Sequence, residues 1–241
     1  GAMKLLSLGD NVFDAYLFRK ELYPGGNAAN VSVLARRAGA EATGYLGVAA
    51  DDPAGCHFRS ALEAEQVDLS RLRVGAGRTA CNFITLDENG DRTFSGNNGR
   101  ETVQNLFALQ LTPADFQYAA GFDVIHTSIH SGTACAVLGG LARRTDLSMD
   151  FSNDGFTHVN VAELAPILQF AFFSAGGRSL EEVRAFAEYA AALETAGCTV
   201  RRHFLQESED FAVTEAFISA VDEDTDMVFL CQPNNPTGQL T

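Results

Sequence analysis

The sequence predicts an α/β fold in which helices cover both faces of a largely parallel sheet. Short apolar segments alternate with helical segments along most of the 241 residues, as in repeated βαβ units. The apolar segments lack the polar alternation of a half-exposed strand, so we expect them to be buried on both faces. Hydrophobic residues make up 46% of the chain, which is ample for a sizeable core.

The first βα pair lies at the start of the chain. Lys4–Asp10 predicts a buried strand that ends in a glycine turn. The segment 27–39 predicts an amphipathic helix that stops at Gly39. The apolar face of this helix should contain Val31, Leu34, Ala35 and Ala38.

A second pair follows directly. Residues 41–49 predict the next strand, and residues 52–66 predict the next helix. Asp51 or Asp52 should cap that helix, because a carboxylate accepts hydrogen bonds from the first free N–H groups. Pro53 suits the first turn, where the missing N–H is not needed.

The pattern then changes from helical to strictly alternating. Thr79–Gly96 alternates apolar and polar residues around Asn89 and Gly90. Asn-Gly tolerates the positive φ angles of a tight turn, so this segment predicts a β-hairpin. A hairpin that interrupts βα alternation indicates a lid or a small additional sheet.

The βα alternation returns after the hairpin. Helices are predicted at 112–120, 132–144, 160–168, 179–197 and 211–221. Strands are predicted at 123–129, 147–152, 170–175, 199–205 and 226–233. We find no repeat or low-complexity segment.

The net charge, the lengths of the apolar runs and the cysteine spacing argue against several kinds of partner and site. The net charge of -14 and the pI of about 4.6 argue against nucleic acid, which is a polyanion. No apolar run reaches the roughly 18 residues of a membrane span. The five cysteines are widely spaced without a CxxC pair, which argues against a zinc site and for a reducing cytoplasm.

The stretch "YPGGNAAN" (Tyr23–Asn30) is the strongest candidate binding motif. Gly25 and Gly26 allow a ligand to approach the backbone closely, and Asn27 and Asn30 offer amide side chains that suit sugar hydroxyls. Asp10 and Asp14, which we place on the loop after the first strand, are further acceptors. From chemistry alone, Gly-Gly-Asn is also explained as a turn and helix cap, and Asp14 is more simply explained as a solvated loop carboxylate.

In order along the chain, "GDNVFDAY", "YPGGNAANV", "GYLGVAADDPAG" and "DENGDRTF" resemble the ribokinase-like (PfkB) carbohydrate kinases. The likeness covers residues 3–197 and is strongest to the fructoselysine 6-kinases of the fructosamine branch. It implies a three-layer α/β/α domain, with the hairpin at about 80–95 forming a β lid. The implied reaction is phosphorylation of a primary sugar hydroxyl with ATP and Mg²⁺.

The resemblance also assigns residues of the sugar site. By position, Asp14, Gly25, Gly26 and Asn30 match the family's sugar contacts, and Asp10 and Asn27 are additions to them. Arg92, on the lid, would either cover the substrate or remain an exposed strand arginine. The family further implies a homodimer through the lid. The apolar residues Phe83, Ile84 and Phe94 fit that interface, and fit equally a lid closing on its own domain.

The family's catalytic motif is not found. Its Gly-Ala-Gly-Asp segment would supply both the anion hole and the aspartate base. Here the only "GAG" is Gly75–Gly77, which we interpret as a loop before the hairpin. The family's Asn-x-x-Glu motif is altered as well, so that Glu181 or Glu182 would have to replace its glutamate. The catalytic residues therefore remain unassigned, and no metal ligand is named.

The tail resembles another class of enzyme. From about Cys198, the sequence through "VFLCQPNNPTG" is similar to pyridoxal-phosphate enzymes of the aminotransferase type, including threonine-phosphate decarboxylases and histidinol-phosphate aminotransferases. Asn235 would match the asparagine that bonds the cofactor's phenolic oxygen. The Schiff-base lysine of those enzymes lies beyond the matching segment, and Lys4 and Lys20 are unsuitable substitutes.

We therefore predict a composite chain, with a ribokinase-like domain at 3–197 whose C-terminal part is replaced or truncated, and an aminotransferase-like fragment at 198–241. The leading function is phosphorylation of a sugar or fructosamine. A non-catalytic sugar-binding module or inert fragment is the second hypothesis, and a pyridoxal-phosphate enzyme is the third. An artefact, a designed chimera and a natural fusion all remain open as its origin.

Overall fold

A computed structural model of the protein describes residues 3–88, 92–152, 164–173, 214–222, 225 and 228–231. The chain divides into two compact units, Gly1–Ser148 and Met149–Thr241. Within the described ranges, none of the helices combines the length and apolar character that a bilayer crossing requires.

The described residues form the elements of the predicted alternation together with several strands and a short helix that were not predicted. In chain order the strands are β1 (Lys4–Gly9), β2 (Val12–Tyr16), β3 (Glu21–Gly25), β4 (Ala42–Ala50), β5 (Val67–Asp68), β6 (Arg73–Gly75), β7 (Cys81–Leu86), β8 (Arg92–Asn97), β9 (Val124–Ser128), β10 (Asp146–Asp150), β11 (Phe170–Phe173) and β12 (Val228–Cys231). The α-helices are α1 (Asn27–Arg37), α2 (Pro53–Ala64), α3 (Val103–Leu106), α4 (Pro113–Ala119), α5 (Cys135–Ala142) and α6 (Glu215–Ala220).

The first unit is built on a parallel sheet. Its strands run in the order β9-β1-β4-β5, and β6 also pairs with β4. At the centre, Leu6 of β1 pairs with Gly44 on one side and Ile125 on the other. Leu6 and Ile125 are fully buried. The parallel α/β architecture predicted from the apolar segments is confirmed for this unit.

A separate four-stranded sheet, called the small sheet below, has the order β3-β2-β7-β8. The predicted hairpin forms its β7 and β8, which pair in antiparallel fashion. Strands β2 and β3 were not predicted, and the placement of Asp14 in a loop was wrong, because Asp14 lies in β2. Phe13 and Ala15 are buried on one face of β2, and Asp14 alternates to the other.

The predicted buried face of α1 was also wrong. The helix buries Ala28, Ala29 and Ser32, whereas Leu34 is 59% exposed. The small side chains let α1 pack closely against the sheet, and the Ser32 hydroxyl donates to the carbonyl of Gly44 at 3.0 Å. The predicted stop at Gly39 is confirmed by a φ of 99°.

Helix α2 begins as predicted, and the structure decides between its two candidate caps. Asp52 is the N-cap, since its carboxylate accepts from the N–H of Gly55 at 2.8 Å. Asp51 instead accepts from the N–H of Gly77 at 3.0 Å.

In the second unit, β11 and β12 pair in parallel, with Phe170 opposite Val228. Helix α6 occupies part of the predicted segment 211–221. The predicted helix 179–197 and strand 199–205 lie outside the described residues, as do residues 160–163 of the predicted helix 160–168. Within the rest of that segment, Ala165–Ile167 forms a short 3-10 helix. The boundary at 197/198 stays a prediction.

Candidate functional site

The carboxyl end of β1 meets the N-terminus of α1 at Asp10. The Asp10 carboxylate accepts from the N–H groups of Asn27 at 2.7 Å and Ala28 at 3.3 Å. It also accepts from the hydroxyls of Ser128 and Ser131, at the end of the neighbouring strand β9. Asp10 therefore caps the helix from a distance and joins two strand ends, a role that the sequence did not indicate.

The two glycines before α1 are required for different reasons. Gly26 has a φ of 106°, and a Cβ added there would lie 2.6 Å from the Cα of Asn11. Only glycine fits that position without strain. At Gly25 an added Cβ would lie 3.3 Å from the carbonyl of Val12 and 3.6 Å from Oδ2 of Asp14. Glycine at position 25 therefore leaves no side chain between its backbone and the Asp14 carboxylate.

Asp14 belongs to a polar row across the small sheet. It pairs directly with Tyr23 of β3 and Asn82 of β7, and Asn82 in turn pairs with Asn97 of β8. Directly paired residues point to the same face of a sheet. The row therefore carries a carboxylate and two amides side by side, a combination that suits hydroxyl groups.

Asn27 and Asn30 lie at the start of α1, as predicted. Asn27 is its first residue and is half-buried, while Asn30 lies one turn later and is exposed. The structure therefore brings Asp10, Gly25, Gly26 and Asn27 together, with Asp14 beside Gly25. Arg92 begins β8 opposite Leu86, and its side chain lies outside the described residues.

Sequence reasoning missed a buried hydrogen-bond network next to this motif. Asn11, only 4% exposed, donates to the hydroxyl of Tyr45 and to the carbonyl of Val48, both at 2.8 Å. Burial raises the pKa of Tyr45, whose protonated hydroxyl donates to the carbonyl of Gly9 at 2.7 Å. The amide of Gln104 donates to Oδ1 of Asn11 at 2.7 Å. The signal in the sequence was the apparently redundant asparagine after Asp10.

The "GAG" segment has a packing explanation. Gly75 ends β6, and the next two residues form a bend, so the predicted loop is largely confirmed. Added Cβ atoms at Gly75 and Gly77 would lie 3.0 and 2.9 Å from the side chain of Val103. These glycines make room for the start of α3. The candidates Glu181, Glu182 and Asn235 lie outside the described residues.

Within the described ranges, no group of three or more His, Cys, Asp and Glu residues gathers to hold a metal ion. The carboxylate of Asp10 is engaged by two N–H groups and two hydroxyls, which does not suit a metal ligand. Among the described residues, those gathered at this motif therefore offer hydrogen-bond partners for hydroxyl groups but no assembled set of metal ligands.

A parallel α/β unit with a small sheet beside the carboxyl end of β1 defines a ribokinase-like protein. The family model of the pfkB carbohydrate kinases matches residues 13–147. The chain belongs to this family.

Two curated relatives of the first part of the chain are kinases. The chain is 36% identical over 180 residues to the fructosamine kinase FrlD of Bacillus subtilis and 33% identical over 173 residues to the fructoselysine 6-kinase of Escherichia coli. These alignments cover 75% and 71% of the chain, and 62% and 63% of the relatives. The chain thus spans less than two thirds of the length of these relatives.

Solved structures agree on the fold. A fructokinase from Xylella fastidiosa has a TM-score of 0.59 at 21% identity, over 80% of this chain and 65% of that one. A ribokinase from Arabidopsis thaliana, complexed with ribose and ATP, also has a TM-score of 0.59, at 14% identity, over 80% of this chain and 70% of that one. The predicted three-layer ribokinase-like fold is confirmed.

The resemblance of the tail is confirmed too. The model of class I and II aminotransferases matches residues 161–241. Over 55 residues the chain is 49% identical to the threonine-phosphate decarboxylase of Salmonella typhimurium, covering 23% of the chain and 15% of that protein. The two family models match separate parts of the chain.

Proposed function

We propose that the first unit binds a sugar or fructosamine whose primary hydroxyl accepts a phosphoryl group from ATP. The observation that carries the proposal is the close approach of the Gly25 backbone to the Asp14 carboxylate at the start of α1, in a sheet row that also carries Asn82. The two relatives of known substrate class, a fructosamine kinase and a fructoselysine 6-kinase, support it.

Each group would act by positioning the substrate. Asp14 accepts from a sugar hydroxyl, and Asn27 and Asn30 donate to or accept from others. The two glycines let the sugar ring approach the backbone. Asp10 holds the start of α1 in place. The small sheet covers the site and excludes water, which limits hydrolysis of the phosphate donor.

ATP would supply the phosphoryl group when bound, and Mg²⁺ bound with it would neutralise the charge that develops during transfer; none of the described residues is assigned to hold either group. The sequence contains no Gly-Ala-Gly-Asp segment, so no residue is assigned as the base. This observation favours a second candidate function, sugar binding without phosphoryl transfer.

The cytoplasm is the proposed compartment, where Cys56, Cys81 and Cys135 would remain the free thiols that the structure shows.

Two measurements on the same preparation separate these functions. Sugar binding is measured by calorimetry with fructoselysine, fructose and ribose, and ADP release is measured with ATP and Mg²⁺ for the same sugars. Binding with sugar-dependent ADP release supports the kinase. Binding alone supports the sugar-binding module. Absence of binding to every sugar would overturn both.

Asp14→Asn should weaken sugar binding about tenfold. The substitution keeps the size of the side chain and removes a charged acceptor, whose hydrogen bond contributes about 1.5 kcal/mol. Calorimetry of both chains measures the change. Glu88→Gln, which removes an exposed carboxylate next to the hairpin turn, is the matched control. Equal affinities for Asp14→Asn and the unaltered chain would remove Asp14 from the site.

We further propose a homodimer through the small sheet. Phe94 is 67% exposed and Leu22 is 42% exposed in this sheet, although Ile84, expected at the same surface, is buried. Phe94→Ser should therefore shift the sedimentation equilibrium from dimer to monomer. Leu106→Ser, which replaces a 65% exposed leucine outside the small sheet, is the control. A monomeric unaltered chain would contradict the proposal.

A further inference from the structure

The small sheet joins the rest of the first unit at a few chain crossings, and one of them lies just before β7. There the chain is held by Asp52, whose carboxylate accepts from the N–H of Thr79 at 2.8 Å and from its hydroxyl. Asn98, just after β8, holds the same point. It donates to the carbonyl of Thr79 at 2.8 Å and accepts from the N–H of Cys81 at 2.9 Å. The base of the hairpin is thus fixed on both strands.

Gln104 connects that base to the motif after β1. Its side-chain oxygen accepts from the N–H of Ala80 at 3.0 Å, and its side-chain nitrogen donates to Oδ1 of Asn11 at 2.7 Å. The oxygen and the nitrogen of this half-buried amide therefore each form a hydrogen bond, the oxygen to the small sheet and the nitrogen to the loop after β1. No other residue type of this length supplies a donor and an acceptor together.

Asn11 stands between the groups of the candidate sugar site. It follows Asp10, which caps α1, and precedes β2, which carries Asp14. Its Cα lies 2.6 Å from the position a Cβ would take at Gly26. A displacement of Asn11 would therefore move the helix cap, the glycine pair and the Asp14 strand together.

We infer that Gln104 is a positioning residue for sugar binding, which holds the small sheet and the loop after β1 in one arrangement. The inference rests on the proposed sugar-binding function and adds a residue that does not itself touch the substrate. The ligand positioned in this way is that of the proposed site, a polyhydroxylated sugar or its amine adduct. Both atoms of the amide are needed, because losing the oxygen breaks the hydrogen bond to Ala80 and losing the nitrogen breaks the one to Asn11.

Two substitutions separate the two bonds. Gln104→Glu keeps an acceptor for the Ala80 N–H but places an oxygen against Oδ1 of Asn11. Gln104→Ala removes both bonds. We expect the affinity for fructoselysine to fall about tenfold in each variant, and hydrogen exchange at the Ala80 amide to accelerate in Gln104→Ala only. Asn105→Ala is the control, since Asn105 is the exposed neighbour that bonds only locally, to Thr102 at 2.9 Å.

A fluorescent reporter adds a readout that a purely structural role would not change. The chain contains no tryptophan, so Phe94→Trp places a single indole on the small sheet. Fructoselysine should shift the indole emission of the Phe94→Trp chain. Adding Gln104→Glu should reduce this shift by more than the accompanying fall in the midpoint of urea unfolding explains.

The outcomes distinguish the inference from the function on which it rests. If the unaltered chain binds sugar and both Gln104 variants bind it equally well, the inference is overturned and the proposed function stands. If loss of affinity merely follows loss of stability across the variants and the Asn105→Ala control, the positioning role is likewise overturned. If the unaltered chain binds no sugar, the proposed function fails and the inference fails with it.

Discussion

Replacing Asp115 with asparagine should lower the free energy of unfolding by about 3 kcal/mol at pH 7, the size expected when one member of a buried ion-pair network is removed. The Asp115 side chain is fully buried at the start of α4. It forms ion pairs with Arg71, at 2.6 Å, and with Arg73. It also accepts from the N–H and the hydroxyl of Thr112, both at 2.7 Å. Asparagine would lose the charge and place donor hydrogens against these donors.

The effect should depend on pH in a defined direction. Burial by itself raises the pKa of Asp115, but the hydrogen bonds from Arg73, Thr112 and Arg71 outweigh it and hold the pKa well below its ordinary value. A depressed pKa in the folded state stabilises the protein above the unfolded-state pKa of about 3.9, and this contribution is lost as the pH falls below that value. The difference between the two chains should therefore be largest at neutral pH and shrink below about pH 4.

Urea unfolding of both chains between pH 7 and pH 3 measures this difference. His126, whose pKa burial lowers to about 4, also destabilises the folded state as the pH falls below about 6.5, but it does so equally in both chains. Glu65→Gln is the matched control, because it removes the acidic partner of the exposed Arg37–Glu65 pair. A loss of stability in Asp115→Asn no larger than in Glu65→Gln would show that the buried network contributes little.

Elements with long runs of buried residues could be predicted from the sequence, whereas short strands and faces selected by packing could not. Largely apolar runs such as β1 and β4 are buried over several consecutive residues, so their strands were predictable. Strand β2 was missed because only Phe13 and Ala15 of its five residues are buried, and the strand follows a glycine turn. In α1 the larger apolar residues suggested a buried face, whereas close packing against the sheet selected Ala28 and Ala29.

The candidate site shows the same limit. Gly25, Gly26 and Asn27 are adjacent in sequence, and their grouping needed no tertiary information. Asp10 was noticed as an acceptor, but its hydrogen bonds to Ser128 and Ser131 cross about half of the chain and depend on β1 lying beside β9. The contact between Asn11 and Gln104 spans 93 positions. No local pattern encodes such a contact, which exists only once the small sheet is in place.

Gly26→Ala should destabilise the first unit more than a positive φ angle alone explains. A non-glycine residue at a φ of 106° costs about 1–3 kcal/mol of backbone strain. The new Cβ would also lie 2.6 Å from the Cα of Asn11 and 2.8 Å from the carbonyl oxygen of Asp10. Both neighbours are backbone atoms, which cannot rotate away as a side chain does. We expect a total loss of at least about 3 kcal/mol.

Gly39→Ala isolates the strain from the crowding. Gly39 has a φ of 99°, close to that of Gly26, and nothing lies within 4 Å of the position of an added Cβ. The difference in unfolding free energy between the two alanine variants therefore measures the contact with the Asp10–Asn11 backbone. Equal losses would mean that this loop moves away at no cost. The candidate site requires this contact to be rigid, because Asn11, which Gly26 contacts, lies between Asp10 and Asp14 in the sequence. The sugar affinity of Gly26→Ala should therefore fall, while that of Gly39→Ala stays unchanged.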